Sequence, residues 1–225
     1  MSESTGNQHI TKHKKTSSTQ KALNVWGIVL ATWAIYRSTI GATAPIFFDE
    51  VLLKPLLFIG PVLWYITIIE KKTFLQGIWL QVNDWKKDGL VALLISLPIV
   101  LLLAYSLFFL GFTVTGPRLV LFSLVALGMT FSEEILSRGF VARHIWEEKK
   151  NIIITVAQAS ALHLFLRIPR MMTTPELFGQ KLFAFAIAEV TLSVVLTTLF
   201  IWRRNLLPVL VVRYLYTLTL MSLLM

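Results

Sequence analysis

Apolar runs separated by short charged gaps dominate the chain, and their lengths predict the architecture. Seven such runs stand at about 22–44, 51–69, 89–112, 118–142, 152–167, 181–201 and 205–225. A helix needs about 20 apolar residues to cross a bilayer, and each run approaches that length except the fifth. The pattern therefore predicts an all-α, polytopic transmembrane helical bundle of about seven spans, with no internal repeat. Residues 1–21 are polar, rich in Ser, Thr and Lys, and without hydrophobic periodicity, which predicts a disordered cytoplasmic tail ahead of one transmembrane domain, 22–225. Ala42-Thr43-Ala44 has signal-peptidase spacing, but Arg37 interrupts the approach and Pro45 follows the cut, so the first run is read as a retained helix. Pro55, Pro61 and Pro98 fall inside runs, where they kink helices without ending them. The gap 71–88 predicts an amphipathic helix on the inner surface.

Composition agrees. Of 225 residues, 56% are hydrophobic and 15% charged, and the mean hydropathy of +0.71 is too high for a soluble domain. A formal charge of +9 points to nucleic acid only if the basic residues form one soluble face. Here they sit in the gaps, so anionic lipid headgroups are the expected partner and nucleic acid is not. Lys and Arg concentrate in the tail and the gaps 70–88, 143–151 and 202–204, whereas the opposite gaps hold Arg118, Arg167, Arg170 and Lys181. The positive-inside rule then puts the amino terminus in the cytoplasm. The chain has no cysteine, which excludes disulfides, thiolate metal sites and thiol nucleophiles.

Against that background, ionisable residues inside the runs are costly, at least about 2.5–3.5 kcal/mol each at the bilayer centre. They are Arg37, Glu133, Glu134, Arg138, His163, Glu189 and Arg213. Counted from the inner end of each helix, Glu133 lies about 14 Å deep, His163 about 16 Å, Glu189 about 18 Å and Arg213 about 12 Å. Four helices delivering polar groups to one level predict a single cavity opening to the cytoplasmic half. Glu134 and Arg138, four residues apart, share a helix face and pair, while Glu133 is turned about 100° away and is left free. A carboxylate beside a neutral imidazole such as His163 is suited to take a proton from water, which is the chemistry of amide hydrolysis. Glu189 with Arg213 is expected to form a structural bridge. There is no H-E-x-x-H, and one intramembrane histidine plus carboxylates is a thin ligand set, so no metal and no cofactor is expected.

These residues resemble the CAAX-protease and bacteriocin-processing intramembrane proteases, also called the Abi family. Its first motif, E-E-x-x-x-R, is matched by Glu133-Glu134-Ile135-Leu136-Ser137-Arg138, with Gly139 and Phe140 following. Its second, F-x-x-x-H, is met by Ala159-Ser160-Ala161-Leu162-His163, with Ala159 in place of the aromatic. Asn205-Leu206-Leu207-Pro208 leads into a late helix as in the family, but where the third motif has H-x-x-x-N this chain has Arg213 and Thr217. The resemblance spans about 118–225. It implies that Glu133 and His163 activate water, that Glu134 and Arg138 support them, and that Arg213 and Thr217 occupy the oxyanion positions.

The resemblance therefore implies an intramembrane endopeptidase of a bacterial plasma membrane, acting on a peptide or small membrane-protein substrate. The degenerate third motif keeps a rival open, a catalytically inactive relative acting as a bacteriocin-immunity or partner-binding protein. A transporter would also explain buried charge, but no inverted repeat supports one. Substrate identity and oligomeric state are not legible in the sequence.

Overall fold

A computed structural model describes residues 17–41, 43–81, 85–109, 116–173 and 179–224. Its secondary structure is helical, with no strand among the described residues. Helices stand at the place of every predicted run: α1 (Ser18–Tyr36), α2 (Lys54–Trp64), the short α3 (Phe74–Gly77), α4 (Trp85–Phe109), α5 (Gly116–Glu134), α6 (Arg143–Lys149), α7 (Ile152–Thr173), α8 (Gln180–Arg203) and α9 (Leu207–Leu224). Wider π-helical turns extend α1 (Arg37–Gly41), flank α2 (Phe48–Leu53 and Tyr65–Ile69) and join α5 to α6 (Ile135–Ala142). Among the described residues, four continuous helices are long and apolar enough to cross a membrane: Phe48–Ile69, Gly116–Lys149, Ile152–Thr173 and Leu182–Arg203, with Leu207–Ser222 a shorter apolar helix. The chain is thus an all-α membrane bundle. Most of the expected tail lies outside the described residues, and α1 begins at Ser18, where the Ser17 hydroxyl accepts from the Gln20 amide as an N-cap.

Two local features set where the polar groups meet. Gly128 in α5 has no side chain because the backbone of Glu50 and Val51 lies against it. That close approach brings the start of the second span onto α5 a little more than a turn before Glu133. The π-helical stretch Ile135–Ala142 then widens the same helix, so that the Arg143 amide reaches back to the Arg138 carbonyl. All eight residues of the stretch are buried, which sets Glu134, Ser137 and Arg138 among α7, α8 and α9.

Two expectations are corrected. The fifth run is not short: α7 continues through Arg167, Pro169 and Arg170 to Thr173, because carboxylates inside the bundle accept the two guanidiniums. The gap after the second run holds a four-residue helix whose Gly77 and following Ile78 are buried, so it packs inward and is no surface amphipathic helix.

At the end of the bundle where α4 and α9 begin, Asn205 ties the loop to the helices. Its amide donates to the Gln81 carbonyl (2.8 Å) and to Asp88, and its side-chain oxygen accepts from Gln81 N (3.1 Å). Glu70 forms a second anchor, accepting from His144 Nε2 (2.7 Å) and from Arg143. Burial raises the Glu70 carboxyl, but the hydrogen bond from His144 and the charge of Arg143 outweigh it and hold it down to about 2. Because the folded value lies below the unfolded one, this contribution is complete above the ordinary value of 4.5 and is lost as the pH falls toward about 2. Glu70→Gln is therefore expected to lower the unfolding midpoint at neutral pH, and the gap to wild type to close as the pH is taken down through that window. A gap that does not change with pH contradicts the assignment.

Candidate functional site

The intramembrane charges do converge, and they form one ion-pair cluster. Glu133 (α5) is held through Oε1 by Lys54 Nζ of α2 at 2.6 Å. Its Oε2 meets Arg167 Nη2 of α7 at 2.6 Å and Arg213 Nη2 of α9 at 3.4 Å. Lys54 also pairs with Glu50 at 2.8 Å, and Glu50 with Arg170 at 2.8 Å. Glu189 (α8) accepts from Arg213 at 2.8 Å and stands 3.5 Å from Arg167 Nε. Glu134 pairs with Arg138 at 2.9 Å, as its spacing predicts, and lies 3.7 Å from Arg213 Nε. Toward the ends of α1 and α7, Arg37 is paired with Asp49 and donates to Thr173 Oγ1 at 2.9 Å.

Glu133 is consequently not the free carboxylate that helical rotation suggested; cations from three other helices enclose it. Rotation about the axis took Glu133 away from Arg138 but turned it toward Lys54 and Arg167. Neither residue interrupts the middle of an apolar run: the first stands near the start of one and the second at the end of another. The burial of the cluster explains its completeness: Glu133 is 2% exposed and His163, Glu189 and Arg213 1% each. An unpaired charge at that depth is unsustainable, so every ionised group must find an opposite one.

His163 (α7) sits at the edge of the cluster and is tied to the first motif. Its Nδ1 lies 2.9 Å from Arg138 Nη1 and 3.0 Å from Ser137 Oγ. Arg138 reaches further, donating to Ser193 Oγ at 2.6 Å. The carboxylate facing His163 Nε2 is that of Glu189, at 3.8 Å. Among the buried polar atoms here that have no hydrogen-bond partner are His163 Nε2, Glu189 Oε1 and Glu134 Oε2. Thr217, one turn beyond Arg213 on α9, is buried as well. The structure thus brings Glu133, Glu134, Arg138, His163, Glu189 and Arg213 into one cluster. His144, outside the apolar runs, is buried in the anchor on Glu70.

Among the described residues, no three His, Asp or Glu side chains are grouped so as to hold a metal ion. A cavity of about 450 Å³ opens between α1, α6 and α7, lined by Thr19, Glu148, Gln158 and Leu162 among others, and none of its lining residues belongs to the cluster. The arrangement offers carboxylates to accept a proton and guanidinium and imidazole groups to donate hydrogen bonds, inside a low-dielectric bundle where each interaction is strengthened. For Glu133 to serve as a base, an ion pair has to open first.

Comparison with known proteins places this cluster. Residues 115–219 match the family model of the type II CAAX prenyl endopeptidases, Rce1-like. The match covers every member of the cluster on α5, α7, α8 and α9 and bears out the resemblance read from the E-E-x-x-x-R motif. It leaves Lys54 and Glu50 outside. No curated protein and no solved structure matches the chain.

Proposed function

We propose that this chain is an intramembrane endopeptidase of the CAAX type, hydrolysing a peptide bond of a peptide or small membrane protein within the bundle. The observation that supports this most is the meeting of Glu133, Glu134, Arg138 and His163 in one buried cluster, inside the stretch that matches the family. In this reading Glu133 takes the proton of the attacking water once its pairs with Arg167 and Arg213 have opened, and Glu134 and Arg138 hold His163 in place. The closed cluster is then the resting state, opened by substrate. The amino terminus lies in the cytoplasm of a bacterial cell, as the distribution of Lys and Arg supports, with the basic gaps against anionic headgroups.

A second reading has its own observation. Arg213 stands where the family has a histidine, and its guanidinium lies on Glu189 and Glu133. A permanent plug of this kind makes a relative that binds a partner, such as a bacteriocin in an immunity role, without turning it over.

Cleavage of a quenched peptide library by the purified protein separates the two. His163→Ala is the informative variant, because it leaves Arg138 paired with Glu134 and no charge without a partner. The proposal expects turnover in wild type and a loss of about 10²–10³-fold in His163→Ala, the effect of removing one group that acts on the transition state. A folded wild type that cleaves nothing favours the second reading.

A further inference from the structure

His163 is the group in the cluster whose proton the geometry locates. A guanidinium only donates, so His163 Nδ1, 2.9 Å from Arg138 Nη1, is an acceptor and carries no proton. The ring proton therefore sits on Nε2. That nitrogen is buried and has no partner, and Glu189 Oε2, the carboxylate in front of it, is beyond hydrogen-bond distance at 3.8 Å. The open end of His163 thus presents an N–H and no lone pair, which makes it a donor and unfits it to act as a base.

We infer that Arg138 is a positioning residue that holds His163 in the Nε2–H form, and that His163 is the donor to the oxyanion in the hydrolysis proposed above, on which this role rests. The alternative donor, Arg213, has its Nη2 turned to the carboxylates of Glu189 and Glu133, at 2.8 and 3.4 Å, and its Nε stands 3.7 Å from Glu134. In the resulting step the water oxygen bonds to the peptide carbonyl carbon while one water proton passes to the Glu133 carboxylate. The carbonyl π electrons move onto oxygen, where the His163 Nε2–H donates. On collapse the C–N bond breaks, and Glu133 returns its proton to the leaving nitrogen. His163 exchanges no proton at any point.

Ring ¹⁵N spectra of the histidine-labelled, detergent-solubilised protein test the tautomer, with His163 assigned by its loss in His163→Gln. The expected signature is a protonated Nε2 and an unprotonated Nδ1 at neutral pH; a proton on Nδ1 overturns the proposal whether or not the protein cleaves anything. Arg138→Met made together with Glu134→Gln, which leaves neither partner of that pair charged, is expected to let the Nδ1–H form appear. An unchanged signature there removes Arg138 from its role. In the cleavage assay His163→Gln is expected to stay within about tenfold of wild type, since its amide N–H can stand where Nε2–H stood, whereas His163→Ala loses about 10²–10³-fold. A Gln variant as inactive as the Ala variant shows that a proton is being moved and overturns the donor role. If the folded wild type has no turnover, the hydrolysis reading and the oxyanion role fall together, while the ring spectra still decide the tautomer.

Discussion

Glu133→Gln is expected to destabilise the folded protein by about 3–5 kcal/mol, and Glu134→Gln by clearly less, in equilibrium unfolding of the two variants in mixed micelles. Adjacent in sequence, the two glutamates differ in how many cations depend on them. Glu133 is the shared counter-ion of Lys54, Arg167 and Arg213, brought from α2, α7 and α9. Neutralising it leaves those three cations inside the bundle, with Glu50 for Lys54, Glu189 for the two guanidiniums and the more distant Glu134 for Arg213. Glu134 has its close contact with Arg138 on the same helix, and the more distant Arg213 keeps Glu189. Breaking an ion pair between helices also loosens tertiary packing, whereas a pair within one helix is brought together by the helix itself. The mechanism has a further consequence. Lys54→Met added to Glu133→Gln is expected to recover part of the loss, because it removes a charge that has lost one of its two carboxylates, while Glu50 keeps Arg170. Equal unfolding of the two single variants, or no recovery in the double one, contradicts the network.

How much of this was visible in the sequence follows from the same physics. Glu133, Glu134, Arg138, His163, Glu189 and Arg213 each interrupt an otherwise apolar run, so their cost in a bilayer marks them without any structure. Their depth along each run then predicted a common level, and the cluster has it. What hydropathy hid was the paired cations at the margins of runs. A scan for apolar windows ends a helix at Arg167, since it prices the guanidinium as if it faced lipid. With Glu133 beside it the helix runs on to Thr173. The same pricing put Asp49 and Glu50 in an outer gap, although both are buried against Arg37 and Lys54. A sequence signal did exist: Glu50 and Lys54 are four residues apart, the spacing that marked Glu134 with Arg138. Which way Glu133 faced was not legible at all, because rotation on α5 is set by the approach at Gly128 and by the π-helical stretch after Glu134.

Replacing Arg213 by His and Thr217 by Asn is the change expected to raise cleavage most, by about 10²-fold or more over wild type, the worth of one well-placed donor. The expectation rests on what Arg213 does in the described state. It holds Glu189 at 2.8 Å and reaches Glu133 at 3.4 Å, so it restrains the carboxylate that the proposed hydrolysis uses as its proton acceptor. A neutral imidazole withdraws that restraint, and Asn at 217, one turn further along α9, supplies an amide N–H on the same face. The fold is expected to tolerate the change. With Arg213 present, Lys54, Arg138, Arg167, Arg170 and Arg213 stand against Glu50, Glu133, Glu134 and Glu189, one cation in excess; without it the numbers are equal. Glu189 keeps Arg167 Nε at 3.5 Å, and Glu133 keeps Lys54 and Arg167 at 2.6 Å each. Cleavage of the same quenched library by the double variant, with its unfolding midpoint recorded beside wild type, checks both halves. A folded double variant that shows no gain means that Lys54 and Arg167 alone suffice to hold Glu133 closed. The departure from the family would then lie in the two cations that the first half of the chain and the far end of α7 bring to the site, and the partner-binding reading would take precedence.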